Sequence, residues 1–280
     1  MFFSLKKKKG NSKAESDQNK NPNFLTKDGV KVLESITEEF GLDFINQEHI
    51  AIEKIKKFAL KNSIYDYDTL VNMIKRDGEF KTKLINSLTI GETYFYREVG
   101  QLKVLVDLLK EKEIKNILCA PCSSGEEVYS ILLFLQDYLQ SIPPIKITGI
   151  DLNSDAIIAA KNAIYSQRSI SLLPPSLIKK NFSYDDYMYM LNEDLKSYVS
   201  FYHINICDKN ALSKLGKFEV IFCRNMLIYF SDEQKKEALD NLDALLEGGG
   251  FLFLGHADIS FELPKYIKIH TKYGDYFQKK

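Results

Sequence analysis

The strongest constraint on the fold is an alternation of short apolar runs with helix-like segments after about residue 91. Residues 116–130 read Asn-Ile-Leu-Cys-Ala-Pro-Cys-Ser-Ser-Gly-Glu-Glu-Val-Tyr-Ser, which predicts a strand, a tight turn and a helix start. Residues 145–151 form a second apolar run that ends in Asp151. Strands that alternate with helices pair in parallel, and ligands bind at their carboxyl ends. The pattern therefore predicts a doubly wound α/β sheet that holds a nucleoside.

The same patterning divides the rest of this region. It predicts helices at 101–113, 126–139, 154–164 and 232–246, and strands at 114–119, 145–151, 199–204, 218–223 and 250–255. Apolar and aromatic residues instead alternate in Tyr187-Met-Tyr-Met190, which is typical of a strand. We therefore expect a small β-rich insertion at about residues 170–200.

The first third of the chain has a different pattern. Residues 1–26 are rich in Lys, Asn and Ser and lack apolar periodicity, which predicts a disordered tail. Apolar residues then recur at helical intervals between residues 27 and 90. We predict a small all-helical domain at 27–90, followed by an α/β domain at 91–280.

Composition excludes several classes of partner. Lys plus Arg and Asp plus Glu number 38 each, so no net field attracts the phosphate backbone of a nucleic acid. The apolar runs are far shorter than the roughly 20 residues that span a bilayer. The four cysteines occupy positions typical of small buried residues in a reducing compartment. We expect a cytoplasmic protein that neither inserts into a membrane nor binds nucleic acid.

The turn at residues 119–126 points to a cationic ligand. It contains neither Gly-x-Gly-x-x-Gly nor a Walker sequence, and Glu126 and Glu127 follow its single glycine directly. Two carboxylates would repel a diphosphate but suit S-adenosylmethionine, which carries a sulfonium and an ammonium group. The alternative is that both glutamates are ordinary first-turn acids that favour the helix dipole.

Asp151 lies at the predicted end of the second strand. A carboxylate there can accept hydrogen bonds from both ribose hydroxyls. The alternative role, a helix N-cap, is more naturally filled by Asn153 or Ser154. Asp151 is therefore the predicted ribose ligand.

Several motifs together resemble the CheR-type chemotaxis receptor methyltransferases in order and spacing. They are Gly91-Glu-Thr-Tyr-Phe-Tyr-Arg97, Cys119-Ala-Pro-Cys-Ser-Ser-Gly-Glu-Glu-Val-Tyr-Ser130, Gly149-Ile-Asp-Leu-Asn153, Ile221-Phe-Cys-Arg-Asn-Met-Leu-Ile-Tyr-Phe230 and Gly255-His256. The resemblance implies a Rossmann-like class I S-adenosylmethionine methyltransferase domain. It also implies methyl transfer to glutamate side chains of bacterial chemoreceptors, with S-adenosylhomocysteine as product.

The resemblance also implies roles for individual residues. Cofactor binding falls to Thr93, Arg97, Glu126, Asp151, Asn205, Ile206, Arg224 and Asn225. Arg97 and Tyr229 are the implied catalytic residues, which orient the substrate carboxylate and hydrogen-bond beside the methyl group. The alternatives are a surface ion pair for Arg97 and a core position for Tyr229. Gly91, Tyr96, Pro121 and Ser124 depart from the usual family residues without removing a charged contact.

The resemblance further implies a partner, the cytoplasmic helical domain of a chemoreceptor. Lys54, Lys56, Lys57 and Lys61 lie on one predicted helix of the N-terminal domain and could dock to acidic receptor helices, or simply form a solvated face. Some family members grip a receptor pentapeptide with the β-rich insertion. The turn at residues 182–187 is short and lacks glycine, which puts that tether in doubt.

Other chemistries find little support. Cys119-x-x-Cys122 has no second ligand pair nearby, so no metal site is expected. The histidines have no Gly-x-Ser-x-Gly partner for a hydrolase triad. Two other functions stay open: a methyltransferase of the same fold with another acceptor, and a signalling adaptor that binds the cofactor without turnover.

Overall fold

A computed structural model describes residues 28–42, 44, 48–89 and 91–280 of the chain. The predicted disordered tail, residues 1–26, lies outside the described residues. Four helices come first: α1 (Asp28–Phe40), α2 (Glu48–Lys61), α3 (Tyr67–Arg76) and α4 (Gly78–Leu88). Asp66 and Asp77 begin α3 and α4, since their carboxylates accept hydrogen bonds from first-turn N–H groups. The helices pack together through buried aliphatic side chains such as Ile36, Ile55 and Leu84.

The rest of the described chain alternates between helices and strands. Its helices are α5 (Val99–Glu111), α6 (Glu126–Leu139), α7 (Ser154–Asn162), α8 (Pro175–Asn181), α9 (Glu193–Lys196), α10 (Lys209–Leu212) and α11 (Asp232–Leu245), with 3₁₀ turns at Ser213–Leu215 and Leu227–Tyr229. Its strands are β1 (Asn116–Cys119), β2 (Lys146–Asp151), β3 (Ile164–Ser166), β4 (Phe182–Asp185), β5 (Met188–Leu191), β6 (Val199–His203), β7 (Phe218–Cys223), β8 (Leu246–Leu254), β9 (Tyr266–Thr271) and β10 (Gly274–Lys279).

The central sheet has the strand order β6-β2-β1-β7-β8-β10-β9 among the described residues. The five strands from β6 to β8 are parallel, and β10 pairs antiparallel with β8 and β9. This mostly parallel arrangement confirms the predicted α/β fold. The final hairpin, β9 and β10, is not among the predicted elements. Strand β10 places two adjacent buried aromatic residues, Tyr276 and Phe277, between polar ones, so it lacks the alternation that identifies a half-buried strand.

The region predicted as a β-rich insertion contains helices as well as strands. Strands β3, β5 and β4 form a separate antiparallel sheet, and α8 and α9 flank its hairpin. The predicted helix 154–164 is two residues too long, because α7 stops at Asn162, where Ala163 adopts a left-handed conformation, and Ile164 begins β3. Asp186 and Tyr187 join β4 to β5 with positive φ angles of 44° and 63°, so this two-residue turn forms without glycine.

The helical unit is attached where the parallel strands end. Asn86 of α4 donates a hydrogen bond to Ser154 Oγ at 2.9 Å, and Asn153 Nδ2 donates to the carbonyl of Asn86 at 3.0 Å. Asn205, just after β6, donates to the carbonyl of Phe40 at 3.0 Å. These contacts hold α1 and α4 over the carboxyl ends of β2 and β6, where a parallel sheet binds its ligands.

Candidate functional site

A cavity of about 380 Å³ lies between the helical unit and the carboxyl ends of the central strands. Its size is in the range of small-molecule sites. Its walls come from α2, the segment before α5, the loops after β1 and β2, the segment after β6 and the loop after β7. Of the residues predicted for the site, the following line it: Lys54, Thr93, Arg97, Asp151, Asn205, Ile206, Arg224, Asn225 and Tyr229.

The loop after β1 folds back onto the end of β2. The backbone N–H of Ser123 donates to Asp151 Oδ2 at 2.8 Å, and the N–H of Asn153 donates to Oδ1 at 2.8 Å. Gly125 then begins α6 with a φ of 91°, and a Cβ there would lie 3.1 Å from the Cβ of Ala160. Only glycine combines that φ with so close an approach, so the turn depends on Gly125.

Asp151 is a buried carboxylate at the cavity wall, with 9% of its surface exposed. Burial raises the pKa of Asp151, while the hydrogen bonds from Asn153 and Ser123 oppose that shift. Each oxygen accepts one backbone hydrogen bond and retains a free lone pair. The carboxylate is therefore held rigidly and can still accept further hydrogen bonds.

Glu127 and Arg224 form the charged wall beside it. Arg224, 6% exposed, places Nη1 at 3.2 Å from Glu127 Oε2 and donates from Nη2 to the carbonyl of Arg97 at 2.7 Å. Burial raises the pKa of the Glu127 carboxyl, and the positive charge of Arg224 opposes that shift. Glu127 Oε1 is buried and makes no hydrogen bond. A buried carboxylate oxygen without a partner is costly, so this atom fits a cationic or N–H donor.

Arg97 extends from a segment that the insertion holds in place. The N–H of Phe95 donates to the carbonyl of Ser169 at 2.9 Å, and the Phe95 ring packs edge-on against Tyr165 at 4.8 Å between centroids. Arg97 itself donates to the carbonyl of Glu92 at 2.7 Å and lies over the ring of Tyr94. A cation is thus fixed in the cavity wall with part of its donor capacity unused.

The sequence profile of one protein family matches residues 91–273: the CheR methyltransferase, SAM binding domain. This match covers more than half of the chain. The chain belongs to the CheR methyltransferase family. Such a domain binds S-adenosylmethionine, and the unpartnered oxygen of Glu127 fits the ammonium group of that cofactor.

Curated relatives extend the CheR match into the helical unit. A chemotaxis protein methyltransferase of Campylobacter jejuni (strain 81-176) is 35% identical over 247 residues, covering 87% of this chain and 93% of the relative. Chemotaxis protein methyltransferase 2 of Vibrio cholerae is 36% identical over 235 residues, covering 79% and 81%. The similarity therefore includes most of both proteins.

One residue predicted for the cofactor site of this CheR protein lies elsewhere. Glu126 does not line the cavity; it is 3% exposed, and its Oε2 accepts a hydrogen bond from Ser124 Oγ at 2.7 Å. Successive residues of a helix point about 100° apart, so only one of the two adjacent glutamates can face the cavity. That residue is Glu127, and the assignment of Glu126 is corrected accordingly.

The four lysines predicted to dock the receptor differ in burial and orientation. Lys54 lines the cavity and donates to the carbonyl of Leu88 at 3.0 Å, and burial lowers its pKa. Lys56 is half-buried and lies 4.0 Å from Glu53, whereas Lys57 and Lys61 are exposed one turn apart. The four lysines therefore do not form one surface, because Lys54 turns inward.

Sequence patterns assign one part of the site to a neighbouring residue and leave another part out. They propose Glu126 and Glu127 together for a cationic ligand but assign only Glu126 to the cofactor, whereas Glu127 lines the cavity together with Ser130, three positions along the same helix face. Asp258, whose carboxylate binds the loop after β7, lies two residues beyond the motif Gly255-His256.

Among helices of the described ranges, none has both the length and the apolar composition needed to cross a bilayer.

Proposed function

We propose that this chain methylates glutamate side chains of bacterial chemoreceptors, with S-adenosylmethionine as the methyl donor. The observation that carries the proposal is the pairing, in one cavity, of an acidic wall with a cation and a phenol. Glu127 and Asp151 supply the acidic wall, and Arg97 and Tyr229 supply the cation and phenol. The similarity to chemotaxis protein methyltransferases supports chemotaxis as the context.

The acidic wall suits the two polar ends of the cofactor. Asp151 accepts hydrogen bonds from the ribose hydroxyls, because each of its oxygens has a lone pair left after the backbone contacts. Glu127 binds the ammonium group through its unpartnered Oε1. Arg97 and Thr93 bind the cofactor carboxylate, while Ile206 and the backbone of Asn205 border the adenine.

Arg224 and Asn225 contribute in different ways. Arg224 is engaged by Glu127 and the carbonyl of Arg97, so it joins the acidic wall to the segment that carries Arg97. Asn225 adopts a positive φ of 57°, a conformation that asparagine tolerates better than most residues. This bend brings the following turn, with Tyr229, to the cavity.

The chemistry demands positioning more than proton transfer. A glutamate side chain, with a usual pKa of about 4.3, is already ionised near neutral pH, so no general base is needed. S-adenosylmethionine supplies an electrophilic methyl group on a sulfonium centre. Arg97 orients the attacking carboxylate, Tyr229 hydrogen-bonds beside it, and the apolar lining excludes water. Alignment of two reactants can account for roughly 7–11 kcal/mol of a barrier.

The helical unit is the proposed contact for the helical cytoplasmic domain of a receptor. Lys57 and Lys61 present two exposed positive charges on one side of α2, and opposite-sign surfaces raise encounter rates and set orientation. Lys56 contributes at the edge of that surface. Lys54 instead holds α2 against the end of α4 through Leu88. No pentapeptide tether is included, because the β4–β5 turn has only two residues.

The deciding experiment incubates the protein with methyl-labelled S-adenosylmethionine and a receptor cytoplasmic fragment. Methyl esters of glutamate release their label in mild base, so base-labile label on the receptor supports the proposal. Asp151→Ala is the matched inactive control. Base-stable label would indicate another acceptor, and cofactor binding without transfer would indicate an adaptor; either outcome would refute glutamate methylation.

A further inference from the structure

Asp258 is a completely buried carboxylate that lies outside the cavity lining, with 0% of its surface exposed. Its Oδ2 accepts hydrogen bonds from the N–H groups of Asn225 at 2.8 Å and Gly255 at 2.6 Å. Its Oδ1 accepts from the N–H of Leu227 at 3.0 Å. One side chain thus ties together the loops that follow the adjacent parallel strands β7 and β8.

The surrounding backbone is shaped to admit this carboxylate. A Cβ at position 255 would lie 2.6 Å from Asp258 Oδ2 and 3.0 Å from the backbone nitrogen of Asn225. Such contacts are too short for any side chain, so Gly255 is required for the approach. Burial raises the pKa of Asp258, and the hydrogen bonds from Asn225, Gly255 and Leu227 oppose that shift. Several N–H dipoles directed at one carboxylate stabilise its charge.

The loop that Asp258 holds carries site residues on both sides of its contact points. Arg224 precedes Asn225 and binds both Glu127 and the carbonyl of Arg97. Tyr229 ends the 3₁₀ turn that starts at Leu227 and lines the cavity. Displacement of this loop would therefore move the phenol and the guanidinium relative to Arg97.

We infer that Asp258 is a positioning residue for methyl transfer, which acts by fixing the 225–227 backbone so that Arg224 and Tyr229 meet the cofactor and the substrate correctly. The inference rests on the proposed function, because receptor methylation is its kinetic readout. Asp258 touches neither ligand. Since misplacement by about 1 Å can cost 100-fold in rate, the effect should appear in kcat.

The kinetic test uses Asp258→Asn, which keeps the shape of the side chain but turns an N–H donor toward N–H groups. We expect kcat with saturating cofactor and receptor to fall by about tenfold or more. Asp258→Glu should restore part of the rate, and Gly255→Ala should reproduce the loss with the carboxylate intact. Leu242→Ala, a buried change in α11 outside the cavity, is the control for lost stability. The inference is overturned if kcat of Asp258→Asn falls by less than about tenfold. It is also overturned if Leu242→Ala, with the same melting temperature as Asp258→Asn, loses as much kcat.

A second readout needs no receptor. Amide hydrogen exchange of Asn225, Leu227 and Gly255 should accelerate in Asp258→Asn and remain slow in Leu242→Ala, because only the former breaks the bonds to those amides. If the wild-type protein fails to methylate receptors, the proposed function is wrong, and the amide hydrogen exchange alone decides whether Asp258 fixes this loop. Unchanged protection of these amides in Asp258→Asn would then overturn the positioning role of Asp258.

Discussion

The guanidinium of Arg224 lies 3.2 Å from the carboxylate of Glu127 inside the cavity, with 3% of the Arg224 side chain and 17% of the Glu127 side chain exposed. The pair leaves Glu127 Oε1 and Arg224 Nε buried without hydrogen-bond partners. Breaking a buried ion pair is costly because the remaining charge is uncompensated. The intact pair therefore presents two unpartnered polar atoms to a ligand: Glu127 Oε1 can accept a hydrogen bond from it, and Arg224 Nε can donate one to it.

The first prediction concerns the pH dependence of cofactor affinity. Burial raises the pKa of Glu127 above the ordinary value of a glutamate side chain, so the free protein takes up a proton as the pH falls through that raised pKa. A protonated carboxyl binds an ammonium group poorly, and affinity should therefore decline below that pH. Glu127→Gln should weaken binding and flatten the pH profile, as calorimetry would show, whereas Glu126→Gln should keep the wild-type profile.

The same shift has an opposite effect on the stability of the free protein. A carboxyl whose pKa is higher in the folded than in the unfolded state stabilises the fold at pH values below its unfolded-state pKa. That stabilisation is lost as the pH rises through its folded-state pKa. With rising pH, the free energy of unfolding of the wild type should therefore decrease relative to that of Glu127→Gln. Denaturant titrations at several pH values measure it, and the reverse slope would contradict the assignment.

The second prediction concerns Asp151. Asp151→Ala removes the proposed ribose acceptor, and loss of two charge-assisted hydrogen bonds should weaken cofactor binding by about 100-fold or more. Asp155→Ala, an exposed change in the first turn of α7, is the matched control. Wild-type affinity of the Asp151 variant in calorimetry would remove the ribose assignment.

The third prediction separates binding from transfer at Arg97. Arg97→Ala should weaken cofactor binding less than Asp151→Ala does, because Thr93, Glu127 and Asp151 remain, but with saturating cofactor it should still lose about 100-fold or more in methyl transfer as the substrate carboxylate loses its orienting partner. Arg76→Ala, on the exposed side of α3, controls for total charge. Unchanged incorporation of label would exclude Arg97 from the mechanism.

The fourth prediction tests the receptor surface on α2. The double change Lys57→Glu and Lys61→Glu should raise the KM for receptor, with a deficit that shrinks as salt screens the charges. Changing Lys209 and Lys214 to glutamate applies the same charge change to exposed positions on another part of the chain. Equal effects of the two pairs would mean that α2 is only a solvated face.

The fifth prediction concerns the segment that carries Arg97. Phe95 is fully buried between Tyr165 and Phe182, so Phe95→Ala should lower the free energy of unfolding by about 3–5 kcal/mol. Phe95→Leu should cost less, because it leaves a smaller cavity. Urea denaturation measures both, and a loss under about 1 kcal/mol for the alanine variant would show that Phe95 is not an anchor.

Much of the α/β architecture was readable from local pattern. Helix α6 and strand β7 were predicted with the bounds that they have, since an acidic helix start and a continuous apolar run are local signals. The position of Asp151 at the end of β2 followed from the same reasoning. The pattern does not predict the terminal hairpin β9–β10, because β10 lacks a regular alternation of polarity. It extends α7 to Ile164, the first residue of β3, because Ala163 carries no turn signal of its own.

Local sequence patterns were enough to predict the alternation of the parallel strands with α5, α6, α7 and α11, the acid at the end of β2 and the motifs that indicate the family. Three features emerged only from the folded chain: Glu127 rather than Glu126 faces the cavity, Lys54 turns inward, and Asp258 binds the loop after β7. The first kind of information is local, because periodicity depends on near neighbours along the chain. The second depends on how each helix is rotated against the sheet and on contacts between residues distant in sequence, which are set when the core packs.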